Sequence, residues 1–555
     1  MTAVLHAPAP TVVTATPAPT VVTATPASTV ATGLLAPRRT WGWCRTLDPV
    51  VTLGLALAAI LTRASHLGAQ GFSDDEGTYV AQAWSVVHHG TLSPYTYWYD
   101  HPPLGWMLLS LWQVLTSPFP HAATAVGSGR ELMVVLAGLD AALLYVAARR
   151  LGLSSPAGIA AAGLWVLSPL AVDYSRMVFL DGIALPLLLG AFVLALTPRR
   201  HLWAYALSGV LLAAAVLCKE TILLSAPAVV LAVWTGSAGR TRPYCLAAFG
   251  GPAVLLLGFY PLLALLKGEL LPGPDHVSLW DALRFQLVDR SSGGSPLTSG
   301  SASSHQLASW LALDPVLLLA GVAAALLLLP VRAQRPTAVA LLVPVLVGLR
   351  PGYLPDPFVI ALLPFCALSV AGLCQTAMVA ARRRRLPLDA RLWAALLTTV
   401  TVLGVAVPAS ANWAPGRLAL DSGSAEQVTA RTETYLAQKV PKDQRLLVDD
   451  SLWVDLIEQG RPEDDVVWFY KTDFTNNLDP SQARALPHGY RDLTWVVSSP
   501  VLRAALAQYP QGLQNARLAL RYSRVVATFG SGDQRLEVRR VRVPSSAPAA
   551  PAPHR

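Results

Sequence analysis

Apolar runs of about 17–25 residues recur between positions 50 and 410, each long enough to cross the hydrocarbon core of a bilayer as a helix. They predict about eleven spans, near 49–66, 131–148, 156–172, 178–197, 202–218, 220–235, 243–266, 313–331, 336–350, 356–379 and 391–409. The stretch LGWMLLSLWQVL (104–115) is apolar but short, which suits a helix lying at the interface. After Asn412 the pattern changes. RLLVDD (445–450), VVWFY (466–470), LTWVVSS (493–499), RVVATFG (524–530) and RLEVRRV (535–541) read as strands, with helical periodicity near 424–438, 451–459 and 500–508.

Composition agrees with the runs. The 555 residues are 53% hydrophobic and 14% charged, with mean hydropathy +0.45. A soluble globular chain carries roughly a quarter charged residues. The expected fold is a polytopic α-helical membrane protein, residues 45–410, followed by a C-terminal extracytoplasmic α/β domain at 413–543. Residues 1–37, with PTVVTATPA twice (10–18 and 19–27), and residues 544–555 lack core-forming periodicity and are expected to be disordered tails. The five cysteines show no paired or metal-binding spacing.

The net charge of +9 does not mark a nucleic-acid face, and no nucleic-acid partner is expected. The arginines lie in short loops, ARRLG (148–152), PRRH (198–201), GRTR (239–242), RAQR (332–335) and RRRR (382–385), which all fall on one side if the N-terminus is cytoplasmic. The loops at 65–103, 173–177, 219–220, 267–312 and 350–355, and everything after 410, then lie outside. A multi-pass protein of the plasma membrane is expected.

Ionisable groups at span ends are costly, and on that outer side four stretches gather them. They are GFSDDEGTYVAQAW (71–84), YWYDHPPLGWMLL (97–109), VDYSRMVFLDGIALP (172–186) and VLCKETILL (216–224). Ser73 with Glu76 makes a capping box, which by itself would only start a helix. It gives no reason for two further acids, Asp74 and Asp75. Lys219 stands out because the chain has five lysines and the spans otherwise use arginine. A local ion pair with Glu220 and a cation for a phosphate leaving group both fit it. Arg176 and Asp181 either pair with each other or point into the cavity of the acids.

The order DE, then HPPLG, then SRMVFLD, then CK between spans resembles the protein O-mannosyltransferases and their lipid-carrier-dependent relatives, the aminoarabinose transferases of lipid A. These are membrane glycosyltransferases of the C type. The resemblance runs over about 45–410, and HPPLG after an acid is its more specific part. The C-terminal α/β region departs from the β-rich loop domain of the eukaryotic mannosyltransferases, which leaves the acceptor open.

The resemblance implies an inverting transfer of a sugar from a polyprenyl-phosphate donor to an acceptor hydroxyl at the outer membrane face. It makes Asp75 the catalytic base and Glu76 its partner. Asp100, His101, Arg176, Asp181, Lys219 and Arg350 become contacts of the donor phosphate or sugar. Asp74 has no counterpart in the family and reads as a cap or a solvated acid. The residue types suit the chemistry, since an attacking hydroxyl needs a carboxylate in reach and a departing lipid phosphate needs cations. No particular cofactor is specified. A divalent cation near the acids is compatible, though no His/Asp spacing demands one. The sugar and the acceptor, whether glycan, lipid or protein, are not specified. A transporter or flippase is the alternative, but it favours mid-membrane charges and an internal repeat, and the spans show no repeat.

Overall fold

The computed structural model describes residues 47–92, 99–117, 122–273, 276–290, 292–383, 424–472, 486–508 and 512–542, with Leu392, Thr399 and Leu403. Apart from those three residues, the predicted span 391–409 lies outside the described residues, as do both predicted tails.

The helices of the first part are α1 (Leu47–Ala64), α2 (Asp74–His89), α3 (Leu104–Thr116), α4 (Ala125–Arg150), α5 (Ser155–Leu167), α6 (Pro169–Ser175), α7 (Leu180–Ala195) and α8 (Leu202–Cys218). They continue as α9 (Ala226–Gly236), α10 (Arg242–Leu266), α11 (Leu279–Arg284), α12 (Ala302–Leu313), α13 (Pro315–Leu328), α14 (Arg335–Gly348) and α15 (Leu363–Arg383). Four stretches are long and apolar enough to cross a membrane: Leu47–Ala69, Ala125–Arg150, Arg242–Leu266 and Asp356–Ala381. Two bent pairs, α5 with α6 (64°) and α12 with α13 (104°), bring the number to six if each is one span.

The described residues therefore do not reach the eleven spans expected. The predicted spans 178–197, 202–218, 220–235 and 336–350 are apolar helices of 10–17 residues, below the roughly 20 needed for a perpendicular crossing. The span 156–172 breaks at Ser168, because a proline follows and disfavours helical geometry in the residue before it. That break exposes carbonyls, and Arg63 at the end of α1 covers them. Its guanidinium donates to Trp165 O (3.2 Å), Val166 O (2.5 Å) and Ser175 Oγ (3.0 Å) and stacks on the Trp165 ring. The second break is tied to the first by Ser168 Oγ donating to Asp314 Oδ2 (2.6 Å).

The C-terminal part holds α16 (Ala425–Lys439), β1 (Leu446–Val448), α17 (Trp453–Glu458), β2 (Val466–Trp468), β3 (Trp495–Ser498), α18 (Pro500–Gln508), α19 (Gln514–Arg521), β4 (Ser523–Phe529) and β5 (Leu536–Val541). All five strands fall where the alternation placed them, and α19 was not foreseen. They form one sheet in the order β2-β1-β3-β5-β4, with β2, β1 and β3 parallel and β5 and β4 antiparallel. The central strands are buried on both faces, under Trp453 and Trp468 on one side and Leu502 and Ala516 on the other.

Candidate active site

Ser73 opens α2 as an extended N-cap, and its amide donates to Glu76 Oε2 (3.0 Å), completing the predicted capping box. Glu76 does much more than cap. Its Oε1 accepts from Arg130 Nε (2.7 Å) and the Val178 amide (3.0 Å), and its Oε2 accepts from Arg130 Nη2 (2.6 Å). Both side chains are buried. Arg130 also donates to the carbonyls of Leu67 (3.3 Å), Gln70 (3.0 Å) and Gly71 (2.9 Å) and lies over the Phe72 ring. The pair thus fastens the α1–α2 connection to α4. Both Glu76 oxygens are taken up in this lock, which anchors the helix that carries Asp75.

Asp75 is half-buried on α2 and belongs to a different set of charges. Lys219 is the centre of that set. It follows the last turn of α8 in extended geometry (φ −150°, ψ 118°) and is buried. Carboxylates of Glu220, Asp181, Asp75 and Asp100 all bear on its ammonium group. The loop 99–103 reaches it because Gly105 lets α3 close on α7 and α8. A Cβ at Gly105 would lie 2.7 Å from Leu180 Cδ2 and 3.4 Å from Cys218 O.

His101, at the tip of that loop, bridges two of these groups. Nδ1 lies 3.1 Å from Glu220 Oε2 and Nε2 lies 3.1 Å from Lys219 Nζ. With a charged lysine donating, Nε2 accepts and Nδ1 carries the proton donated to Glu220. Burial and the Lys219 ammonium press the imidazole toward neutrality, while Glu220 and Asp100 outweigh them and raise its pKa. Lys219 and His101 therefore compete to place one proton in the bond between them. Glu220 Oε1 is 4.0 Å from Lys219, so the expected direct ion pair is largely replaced by the histidine bridge.

Asp181, in the first turn of α7, accepts from Thr221 Oγ1 (3.3 Å). Its buried Oδ2 has no protein hydrogen-bond partner among the described residues. Tyr79, one turn after Asp75, is buried against the His101 ring at 6.0 Å. Burial first, then Asp75, Asp100, Asp181 and Glu220, hold its phenol well above the ordinary range, so it remains a neutral donor.

Two expected residues lie apart from this cluster. Arg176 pairs with Asp173 (3.3 Å), one turn earlier, and donates to the carbonyls of Ser65 (3.1 Å) and His66 (3.5 Å). It ties the end of α6 to the end of α1 instead of pairing with Asp181. Arg350 is exposed in the turn after α14, where residues 293–303 bond back to Leu349 and Gly352. Arg130 was missed in the sequence because an arginine at the edge of an apolar run ordinarily anchors a span end. Among the described residues, no three His, Cys, Asp or Glu side chains are grouped to hold a metal ion.

No family model matches the chain, and no curated protein does. Solved structures do. The apo crystal structure of ArnT from Cupriavidus metallidurans aligns with TM-score 0.52 at 15% identity, over 89% of this chain and 97% of that one. ArnT bound to undecaprenyl phosphate aligns with TM-score 0.50 at 16% identity, over the same shares. The apo Archaeoglobus fulgidus oligosaccharyltransferase gives TM-score 0.51 at 12% identity, over 88% of this chain and 75% of that one.

Proposed function

From a chain with the fold of the C-type membrane glycosyltransferases, we infer an enzyme that moves a sugar from a polyprenyl-phosphate donor to an acceptor hydroxyl at the membrane edge, with inversion. The acceptor oxygen attacks the anomeric carbon and its proton passes to Asp75. The bond from that carbon to the phosphate oxygen breaks on the opposite face, and polyprenyl phosphate departs with the electron pair. Lys219 is placed to take up the charge that grows on the phosphate. Asp100 and Asp181 accept hydrogen bonds from the sugar hydroxyls, and His101 steers the Lys219 ammonium. Arg176 and Arg350 would reach the phosphate only if donor binding freed the first and turned in the second.

The observation that carries this reading is the buried Lys219 among carboxylates that outnumber the cations. A purely structural lysine needs one partner, whereas this set has acceptors in excess, one of them an unbonded buried oxygen of Asp181. The binding of undecaprenyl phosphate by ArnT supports a lipid-phosphate donor. A panel of polyprenyl-phosphate sugars offered to the purified protein with candidate hydroxyl acceptors tests it. Transfer from one donor, lost in Asp75→Asn while the melting curve is kept, is the expected result. Transfer that survives Asp75→Asn removes Asp75 as base, and no transfer from any donor removes the reading.

A further inference from the structure

The C-terminal α/β region grips the helix that carries Asp75, and it does so along one stripe of that helix. At the first turn, Gly77 lets the chain between β1 and α17 come against the α2 backbone. A Cβ at Gly77 would stand 2.3 Å from Ser451 N and 2.5 Å from Asp450 C. Beside it, Thr78 Oγ1 donates to Asp450 Oδ2 (2.7 Å) and lies 2.8 Å from Tyr470 Oη. Tyr470 Oη itself donates to the same Asp450 oxygen (3.0 Å). Two turns on, Trp84 Nε1 donates to Glu458 Oε1 (2.9 Å) and its ring meets Trp453 edge to face at 5.6 Å. At the end, His89 Nε2 lies 2.6 Å from Glu463 Oε1. Gly77 with Trp84 (i, i+7) and Thr78 with His89 (i, i+11) form two neighbouring lines that make one broad stripe, so one side of the helix is given to this region.

Residues three apart on a helix are surface neighbours, which puts Thr78 next to Asp75. Tyr79, on the other flank, faces the carboxylates around Lys219. Asp75 is thus held between the donor-side cluster and a hydroxyl network supplied by the C-terminal region. We propose that Asp450 and Tyr470 are positioning residues: through Thr78 they fix the rotation of α2 and with it the direction of the Asp75 carboxylate. The proposal rests on the transferase reading of Asp75, but the clamp on α2 has its own readout.

The test uses the full-length protein with Thr78→Val, Asp450→Asn and Tyr470→Phe, each of which removes a hydrogen-bonding group at nearly constant shape. Hydrogen exchange of the α2 amides reads the clamp, and steady-state transfer reads its consequence. Faster exchange confined to α2, with kcat lowered roughly ten- to a hundred-fold and the donor KM unchanged, is expected of a misaimed base. Thr78→Ser, which keeps the hydroxyl, should restore wild-type exchange and kcat. Unchanged α2 exchange in all three variants overturns the clamp, and faster exchange with unchanged kcat overturns the positioning role. If Thr78→Ser lost as much kcat as Thr78→Val, packing alone would account for the effect and the hydroxyl network would be dismissed. A wild type inactive on every donor, with α2 exchange still faster in the variants, counts against the transferase reading and in favour of the clamp.

Discussion

Asp75 and Glu76 are adjacent on one helix, yet the regions they face treat charge in opposite ways. Behind α2, one guanidinium and the amides of Ser73 and Val178 saturate both oxygens of Glu76, and the remaining N–H groups of Arg130 go to backbone carbonyls. In front of α2, carboxylates from four segments share Lys219 and His101, and Asp181 keeps an oxygen with no hydrogen-bond partner among the described residues. A saturated pair suits a mechanical use, since its acceptors are already taken. An unsaturated cluster keeps acceptors and a movable proton, which a reaction needs. Separating them by one helix lets the first hold the second in place.

The comparison breaks most visibly at Arg130. Arg130→Met strands the buried Glu76 carboxylate and should destabilise the protein by about 3–5 kcal/mol, since removing one partner of a buried pair leaves an uncompensated charge. Pairing it with Glu76→Gln should recover part of that loss in a thermal melt. If Arg130→Met melts like wild type, the lock is not what holds α2. Lys219→Gln should behave in the reverse way: a smaller loss of melting temperature, because Glu220 keeps its bond to His101 and is partly exposed, with kcat lowered by about 10²–10³, the scale of one lost oxyanion-stabilising donor. A KM increase with kcat preserved would mean that Lys219 binds donor in the ground state only.

A third set of acids sharpens the contrast. Where the C-terminal region meets the start of α4, Asp455 accepts the Ala125 amide with both oxygens (3.0 and 3.1 Å) and Glu426 accepts the Ala123 amide (3.1 Å). Glu433 is buried beside them. Burial, then Asp455 and Glu426, push the Glu433 carboxyl well up. Burial, opposed by the Ala125 amide and aided by Glu458 and Glu426, pushes Asp455 up to about 7. A carboxyl with a higher pKa in the folded protein favours the fold at low pH and loses that advantage as pH rises through its folded value. Melting temperature should therefore fall by several degrees as pH rises from about 4, the ordinary carboxyl range, to about 7, where Asp455 gives up its proton, and Glu433→Gln with Asp455→Asn should flatten the slope. A slope that persists in the double variant would place the titration elsewhere.

Much of this was legible in the chain, and what was not has a physical cause. The five strands, the capping box at Ser73 and the oddity of Lys219 follow from local pattern, because alternation, caps and composition are properties of neighbouring residues. The partner of Glu76 stands 54 positions away in what reads as an ordinary span edge, and nothing local distinguishes Arg130 from an anchor. Arg176 has two readings in the sequence, a pair with Asp181 or a side chain in the cavity of the acids, and its partner in the structure, Asp173, lies one helical turn away. The eleven spans are not reached among the described residues, where four of them are helices of 10–17 residues and two are bent at prolines. Ser168–Pro169 and Asp314–Pro315 bend their runs by 64° and 104°, and hydropathy alone does not see a bend.

The smallest effect belongs to Arg350, and it decides how many cations the donor phosphate uses. The guanidinium is exposed beyond α14, and the glycines and serines of 293–303 are bonded to its flanking backbone, so the turn is fixed while the side chain is in solvent. Arg350→Ala should change stability by no more than about 0.5 kcal/mol, as for other exposed substitutions. If Lys219 alone receives the phosphate, kcat/KM should also change less than about two-fold, because an exposed charge at a distance is screened by salt within roughly 10 Å. A ten-fold loss in kcat/KM with an unchanged melting curve would mean that donor binding draws the 350 turn onto the phosphate. The front of α2 would then use a cation from α14 as well as one from α8, and its unsaturated state would be that of the empty site only.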